Sequence, residues 1–67
     1  MDWNRLEGNW KQFKGSAKEK WGKLTDDDLI RIDGKRLQMA GVLQQRYGYD
    51  KERAEKELDS FIHQLTS

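Results

Sequence analysis

Residues 3–22 read Trp3-Asn4-Arg5-Leu6-Glu7-Gly8-Asn9-Trp10-Lys11-Gln12-Phe13-Lys14-Gly15-Ser16-Ala17-Lys18-Glu19-Lys20-Trp21-Gly22. Apolar side chains stand at Trp3, Leu6, Trp10, Phe13, Ala17 and Trp21, in steps of three and four. That spacing returns a side chain to one face of an α-helix, whereas strand faces alternate every second residue. The run predicts helix over about 3–21, with Gly8 as a candidate break. Phe13 falls in the middle of the stripe and is expected in the core, while Lys18 falls outside it. Trp10 and Trp21 are read as core residues, because a small domain relies on large aromatic side chains to bury enough area.

The same stretch begins an internal repeat. Gly8, Gly15 and Gly22 are seven apart, and a shift of 26 residues places them on Gly34, Gly41 and Gly48. Arg5 then falls on Arg31, Leu6 on Ile32, Gln12 on Gln38, Phe13 on Met39 and Trp21 on Tyr47. Two copies are too few for a solenoid, which needs at least three. They predict two similar helical units packed against each other, with Phe13 and Met39 near the centre of a shared core.

The remaining helices are marked by their ends. In Leu24-Thr25-Asp26-Asp27-Asp28-Leu29, Thr25 and Asp28 have the spacing of a capping box, and Leu24 and Leu29 that of a hydrophobic staple. Asp50 is a second candidate cap. Gly22 and Gly48 stand where a left-handed residue would end the preceding helix. The apolar residues Leu29, Ile32, Met39, Leu43 and Tyr47 continue the pattern, with Arg36 interrupting it, and Ala54, Leu58, Phe61, Ile62 and Leu65 complete it. The predicted helices are 3–21, 26–33, 35–47 and 51–65. The chain is all-α, a small bundle of about four helices, read as a single domain over 1–67.

Composition narrows the function classes. The 67 residues include no Cys, no Pro and one His. Disulfides and the usual Cys/His zinc sets are excluded. The N-terminal residues show no basic start followed by an apolar run, and no stretch approaches a membrane span, so a cytoplasmic location is expected. Charged residues make up 37% and apolar ones 34%, with a mean hydropathy of −1.13. Such values approach the disordered class, but the seven aromatic residues at helical spacing argue for a folded domain.

Charge alternates along the chain: positive over 1–23 and 35–49, negative over 24–34 and 50–67, and nearly balanced at +1. A nucleic-acid binder usually carries a strong basic excess. Lys11, Lys14 and Lys18 share one flank of the first helix and form the candidate contact surface. The favoured reading of these lysines is a solvated face whose Lys stems cover apolar surface. Asp26, Asp27 and Asp28 lack the alternating ligands and closing Glu of a calcium loop, and helix capping accounts for all three. No nucleophile motif surrounds any Ser, His63 stands alone on a helix, and the glycines form no phosphate loop. No catalytic residue, metal, cofactor or small-molecule substrate is therefore expected. Gly15 and Gly41 are the glycines interior to helices, where each costs about 1 kcal/mol against Ala, so these two most invite a packing or partner explanation.

Gly8-Asn9-Trp10-Lys11-Gln12-Phe13-Lys14-Gly15, Trp21-Gly22-Lys23-Leu24-Thr25-Asp26-Asp27-Asp28 and Arg46-Tyr47-Gly48 resemble the signature of the CsbD-like family, and the likeness spans about Leu6 to Leu58. The resemblance implies a small bacterial protein associated with general stress responses, with no catalytic residues to carry over. It also implies two roughly orthogonal helical hairpins. Ser16 and Val42 stand after Gly15 and Gly41 where the family commonly has Lys, which weakens any argument for a repeated basic motif. The leading expectation is a non-enzymatic protein acting through protein contacts or self-association. The alternatives are a hydrophilic protectant against aggregation, and a binder of nucleic acid or anionic membrane through the Lys flank.

Overall fold

Asp2 opens the first helix by accepting a 2.9 Å hydrogen bond from the Arg5 N–H. The computed structural model describes residues 2–66, and among them it contains five helices and no strand. They are α1 (Trp3–Gly8), α2 (Trp10–Lys20), α3 (Asp26–Ile32), α4 (Arg36–Tyr47) and α5 (Lys51–Thr66). No helix among the described residues is long and apolar enough to cross a membrane.

The first predicted helix is two. The break falls at Asn9, one residue beyond Gly8. Its amide side chain donates to the Arg5 carbonyl at 3.0 Å, and its own carbonyl accepts from the Gln12 and Phe13 N–H groups. Asn9 thus closes α1 and opens α2. A short amide side chain competes with the regular backbone ladder in this way, which is why Asn favours helix ends.

The other helix starts match their local signals. Thr25 Oγ1 accepts from the Asp28 N–H, and Asp28 Oδ2 accepts from the Thr25 N–H, both at 3.1 Å. Leu24 and Leu29, either side of this cap, are both buried. Asp50 Oδ1 accepts from the Arg53 N–H at 2.7 Å at the start of α5. Gly48 ends α4 in the left-handed region, at φ 70°. Gly22 plays no such part: α2 ends at Lys20, and Trp21 caps it at φ −121°, outside the left-handed region.

The core joins all five helices. Leu6 of α1, Trp10 and Ala17 of α2, Leu29 and Ile32 of α3, and Ala54, Leu58 and Phe61 of α5 surround Met39 and Leu43 of α4. The Trp21 ring meets Phe61 at 5.0 Å between centroids, tying the end of α2 to α5. The Trp10 indole donates to the Leu29 carbonyl at 2.9 Å, and the Trp3 indole to the Gly34 carbonyl at 2.7 Å. Buried indole N–H groups need such partners.

Phe13 departs from expectation. It is half-buried and packs against the margin of the core, while its repeat mate Met39 is fully buried. On a helix with 3.6 residues per turn, Trp10 and Ala17 lie almost in line, with Phe13 about 40–60° to one side and Lys14 to the other. Both flanking residues are half-buried. α4 packs against α3 and α5 and buries a wider arc that includes Met39, Ala40, Val42 and Leu43. The repeat therefore governs where helices lie, and position within the bundle governs how much of each is covered.

The glycine that permits close approach is Gly34, not Gly15 or Gly41. Asp33 and Gly34 are successive left-handed residues, at φ 50° and 75°. A Cβ on Gly34 would stand 2.9 Å from the Glu7 Cα and 3.0 Å from the Trp10 Cβ. At Gly15 and Gly41 a Cβ would meet nothing within 4 Å. Neither marks contact with another helix of this chain.

Candidate interaction surface

Lys11, Lys14, Gly15 and Lys18 come together on α2, where they face Asp26 and Ile30 of α3 across a groove of about 280 Å³. Lys11, Lys14 and Ile30 also belong to an adjoining hollow of about 320 Å³ that reaches Glu7 and Asp33. The two form one continuous furrow along the α2–α3 junction. Gly41, on α4, lines neither part.

Charges along this furrow differ in their commitments. Lys18 Nζ lies 2.7 Å from Asp26 Oδ1 in an exposed ion pair. That hydrogen bond and charge, with a smaller contribution from Lys14, hold the Asp26 carboxyl below its ordinary range. Lys11, Lys14, Glu7 and Asp33 make no ion pair or side-chain hydrogen bond among the described residues. Glu7 and Lys11 have the spacing of a helical ion pair, but the break at Asn9 takes them off a common helix.

Between these charges stands Ile30, 67% exposed. The apolar stripe of the sequence runs through its neighbours Leu29 and Ile32 and does not single out Ile30. The signal was present: Ile30 sits one residue, about 100°, away from Leu29 around the helix, outside the stripe. Among the described residues, Leu37 on α4 is the other large exposed apolar side chain, at 80%.

The three aspartates at the start of α3 diverge. Asp28 turns inward and is only 2% exposed. It accepts from Arg46 Nε and Nη2, both at 2.9 Å, and from Arg31 Nη2 at 3.2 Å. The Arg46 hydrogen bonds first, then the Thr25 N–H, lower its pKa to about 2 against the opposing effect of burial. Asp26 is taken by Lys18. Arg36, which interrupts the apolar stripe, is a second tie: it bonds Glu55 at 2.8 Å and Asp59 at 2.6 Å on α5. Its guanidinium also lies 5.3 Å from the Trp3 ring centre. These carboxylates and guanidinium groups hold the fold together. Along the furrow, Lys11, Lys14, Glu7 and Asp33 take part in no ion pair among the described residues and stand beside the exposed Ile30.

This chain is an all-helical domain with a Gly-punctuated repeat, and the family model described as CsbD-like matches residues 4–56. The chain belongs to the CsbD-like family. It is 63% identical over 65 residues to the UPF0337 protein RPA4217 of Rhodopseudomonas palustris, covering 97% of this chain and 98% of that one. It is 66% identical over 58 residues to the UPF0337 protein ECA0631 of Pectobacterium atrosepticum, covering 87% and 84%. The UPF0337 protein YjbJ of Escherichia coli K12 is 60% identical over 58 residues, with 87% and 84% covered.

Proposed function

We propose that this chain is a non-enzymatic stress-response protein of the cytoplasm that acts by binding protein surfaces, and that the α2–α3 furrow is its binding face. The observation that carries this reading is the setting of Ile30, 67% exposed among charges of both signs, of which Lys11, Lys14, Glu7 and Asp33 make no ion pair among the described residues. An exposed Ile contributes little to folding. A partner that covers it with apolar surface and supplies counter-charges would gain apolar burial and register together. The stress context rests on the family resemblance.

The mixed rim favours protein over a polyanion. DNA or an anionic membrane brought to Lys11, Lys14 and Lys18 would also meet Glu7, Asp26 and Asp33. A protectant acting by composition alone has no need of Trp10 and Trp21 as core residues. The test is a photo-crosslinking amino acid at Ile30, with one at Ser60, an exposed residue of α5, as control, in stressed cells. Discrete adducts from position 30 alone are the expected result. Equal labelling from both positions, or none from 30, would remove the furrow from consideration. Binding of DNA or anionic vesicles at low salt would transfer the assignment to a polyanion.

A further inference from the structure

We infer that the occupant of the furrow is a second copy of this chain, paired about a two-fold axis close to Ile30. The inference rests on the furrow being a protein-binding face and names its partner.

A two-fold interface joins a patch to itself, so each residue must find its complement within the same patch. A patch of one charge repels its own copy. A patch holding both charges around an apolar centre can match its copy after rotation. The furrow meets that requirement. Lys11 and Lys14 supply two cations and Glu7 and Asp33 two carboxylates, none of them in an ion pair among the described residues. Ile30 is the exposed apolar residue they share. In such a pairing the two Ile30 side chains would meet near the axis, and the lysines of each copy would have the carboxylates of the other to pair with. The four charges cancel, and the chain as a whole carries only +1, so repulsion between copies is slight.

Leu37, the other large exposed apolar residue among those described, lacks these features. Leu37 shares its outer face of α4 with Gln38, Gly41 and Gln45, and that stretch has no charge to fix a register. It therefore serves as a control. The domain measures only 26 × 24 × 18 Å, so a face of this extent belongs with small, reversible interfaces rather than obligate ones.

Sedimentation velocity of the purified chain over a wide concentration series is the experiment. The expected result is a shift from one-chain to two-chain mass as concentration rises, weakened by added salt. Ile30→Lys should move the midpoint at least about tenfold upward, as loss of a central interface residue does, while Leu37→Lys leaves it in place. Lys11→Glu with Lys14→Glu should weaken pairing, and so should Glu7→Lys with Asp33→Asn; Asn tolerates the left-handed backbone at position 33. An equimolar mixture of those two double variants should recover the heavier species, because each supplies the charge the other lacks. Far-UV circular dichroism confirms that each variant folds. A chain that stays at one-chain mass throughout overturns the inference, as does a dimer indifferent to Ile30 or an unrescued mixture. If the chain sediments as a monomer while position 30 still crosslinks a different protein, only the two-fold pairing fails and the binding face stands.

Discussion

Arg46 grips Asp28 from a different helix, its Nε and Nη2 each donating to a separate carboxylate oxygen at 2.9 Å. The same carboxylate closes the capping box of α3 through Thr25. One buried side chain therefore fixes a helix start and fastens that start to α4. A two-pronged Arg–carboxylate pair has stronger geometry than a single Lys contact.

Asp28→Asn keeps the size of the side chain and removes its charge. The variant should lose about 2 kcal/mol, in the range for hydrogen bonds to charged groups and discounted because Arg46 is itself 40% exposed. Arg46→Lys should lose less but more than a surface substitution, since one prong goes. Urea denaturation of both beside the parent measures the difference. An unchanged midpoint for Asp28→Asn would show that the pair contributes no net stability.

The same carboxylate sets an acid limit. Its folded pKa of about 2 lies below the ordinary 3.8, so the unfolded state takes up the proton first. The contribution is fully present above about pH 4 and declines as pH falls through about 2. Acid titration followed by circular dichroism should show the parent losing stability over that window. Asp28→Asn should show a shallower dependence there, with Asp26 supplying part of the remainder through its exposed pair with Lys18.

Phe13 and Leu43 separate margin from centre. Leu43 is fully buried, and Leu43→Ala should cost about 2–5 kcal/mol. Half-buried Phe13 has less area to lose, so Phe13→Ala should cost about 1–2 kcal/mol and leave a folded protein. Lys18→Ala removes only an exposed ion pair and should change stability by under about 0.5 kcal/mol. Chemical denaturation of the three variants gives the ranking. A Phe13→Ala loss equal to that of Leu43→Ala would place Phe13 in the centre after all.

Two glycines should respond with opposite sign. Gly34→Ala forces a left-handed residue and sets a Cβ against the Glu7 backbone at 2.9 Å, so a loss of at least about 2 kcal/mol is expected. Gly15→Ala meets open space within a helix and should gain about 0.5–1 kcal/mol. Thermal melts at low protein concentration compare them directly.

Features carried by neighbours in the chain were legible in the sequence. Thr25 with Asp28, and Asp50 with Arg53, are caps whose geometry spans three residues, and the structure contains both. The buried stripe through Leu6, Trp10, Ala17 and Trp21 was legible for the same reason. What depends on the arrangement of helices was not. Phe13 and Met39 are equivalent by repeat, yet Met39 is fully buried where α4 packs against α3 and α5, while Phe13 lies at the margin of the core. Gly34 and Gly15 are alike as letters, and only the approach of α1 to the α3–α4 turn distinguishes them. The lysines Lys11, Lys14 and Lys18 were identified as a flank from their spacing, but Ile30, Glu7 and Asp33 join them only through folding.

The three indoles occupy three different settings, and this makes them separate optical reporters. Trp3 lies beside the Arg36 guanidinium, Trp10 is bonded to the Leu29 carbonyl, and Trp21 packs on Phe61. Detachment of α5 would change the light emitted by Trp21 before that of Trp10, while opening of the α2–α3 junction would do the reverse. Single-Trp versions with Phe at the other two positions would therefore time the two events independently. Coincident transitions would establish that the five helices come apart as one cooperative unit.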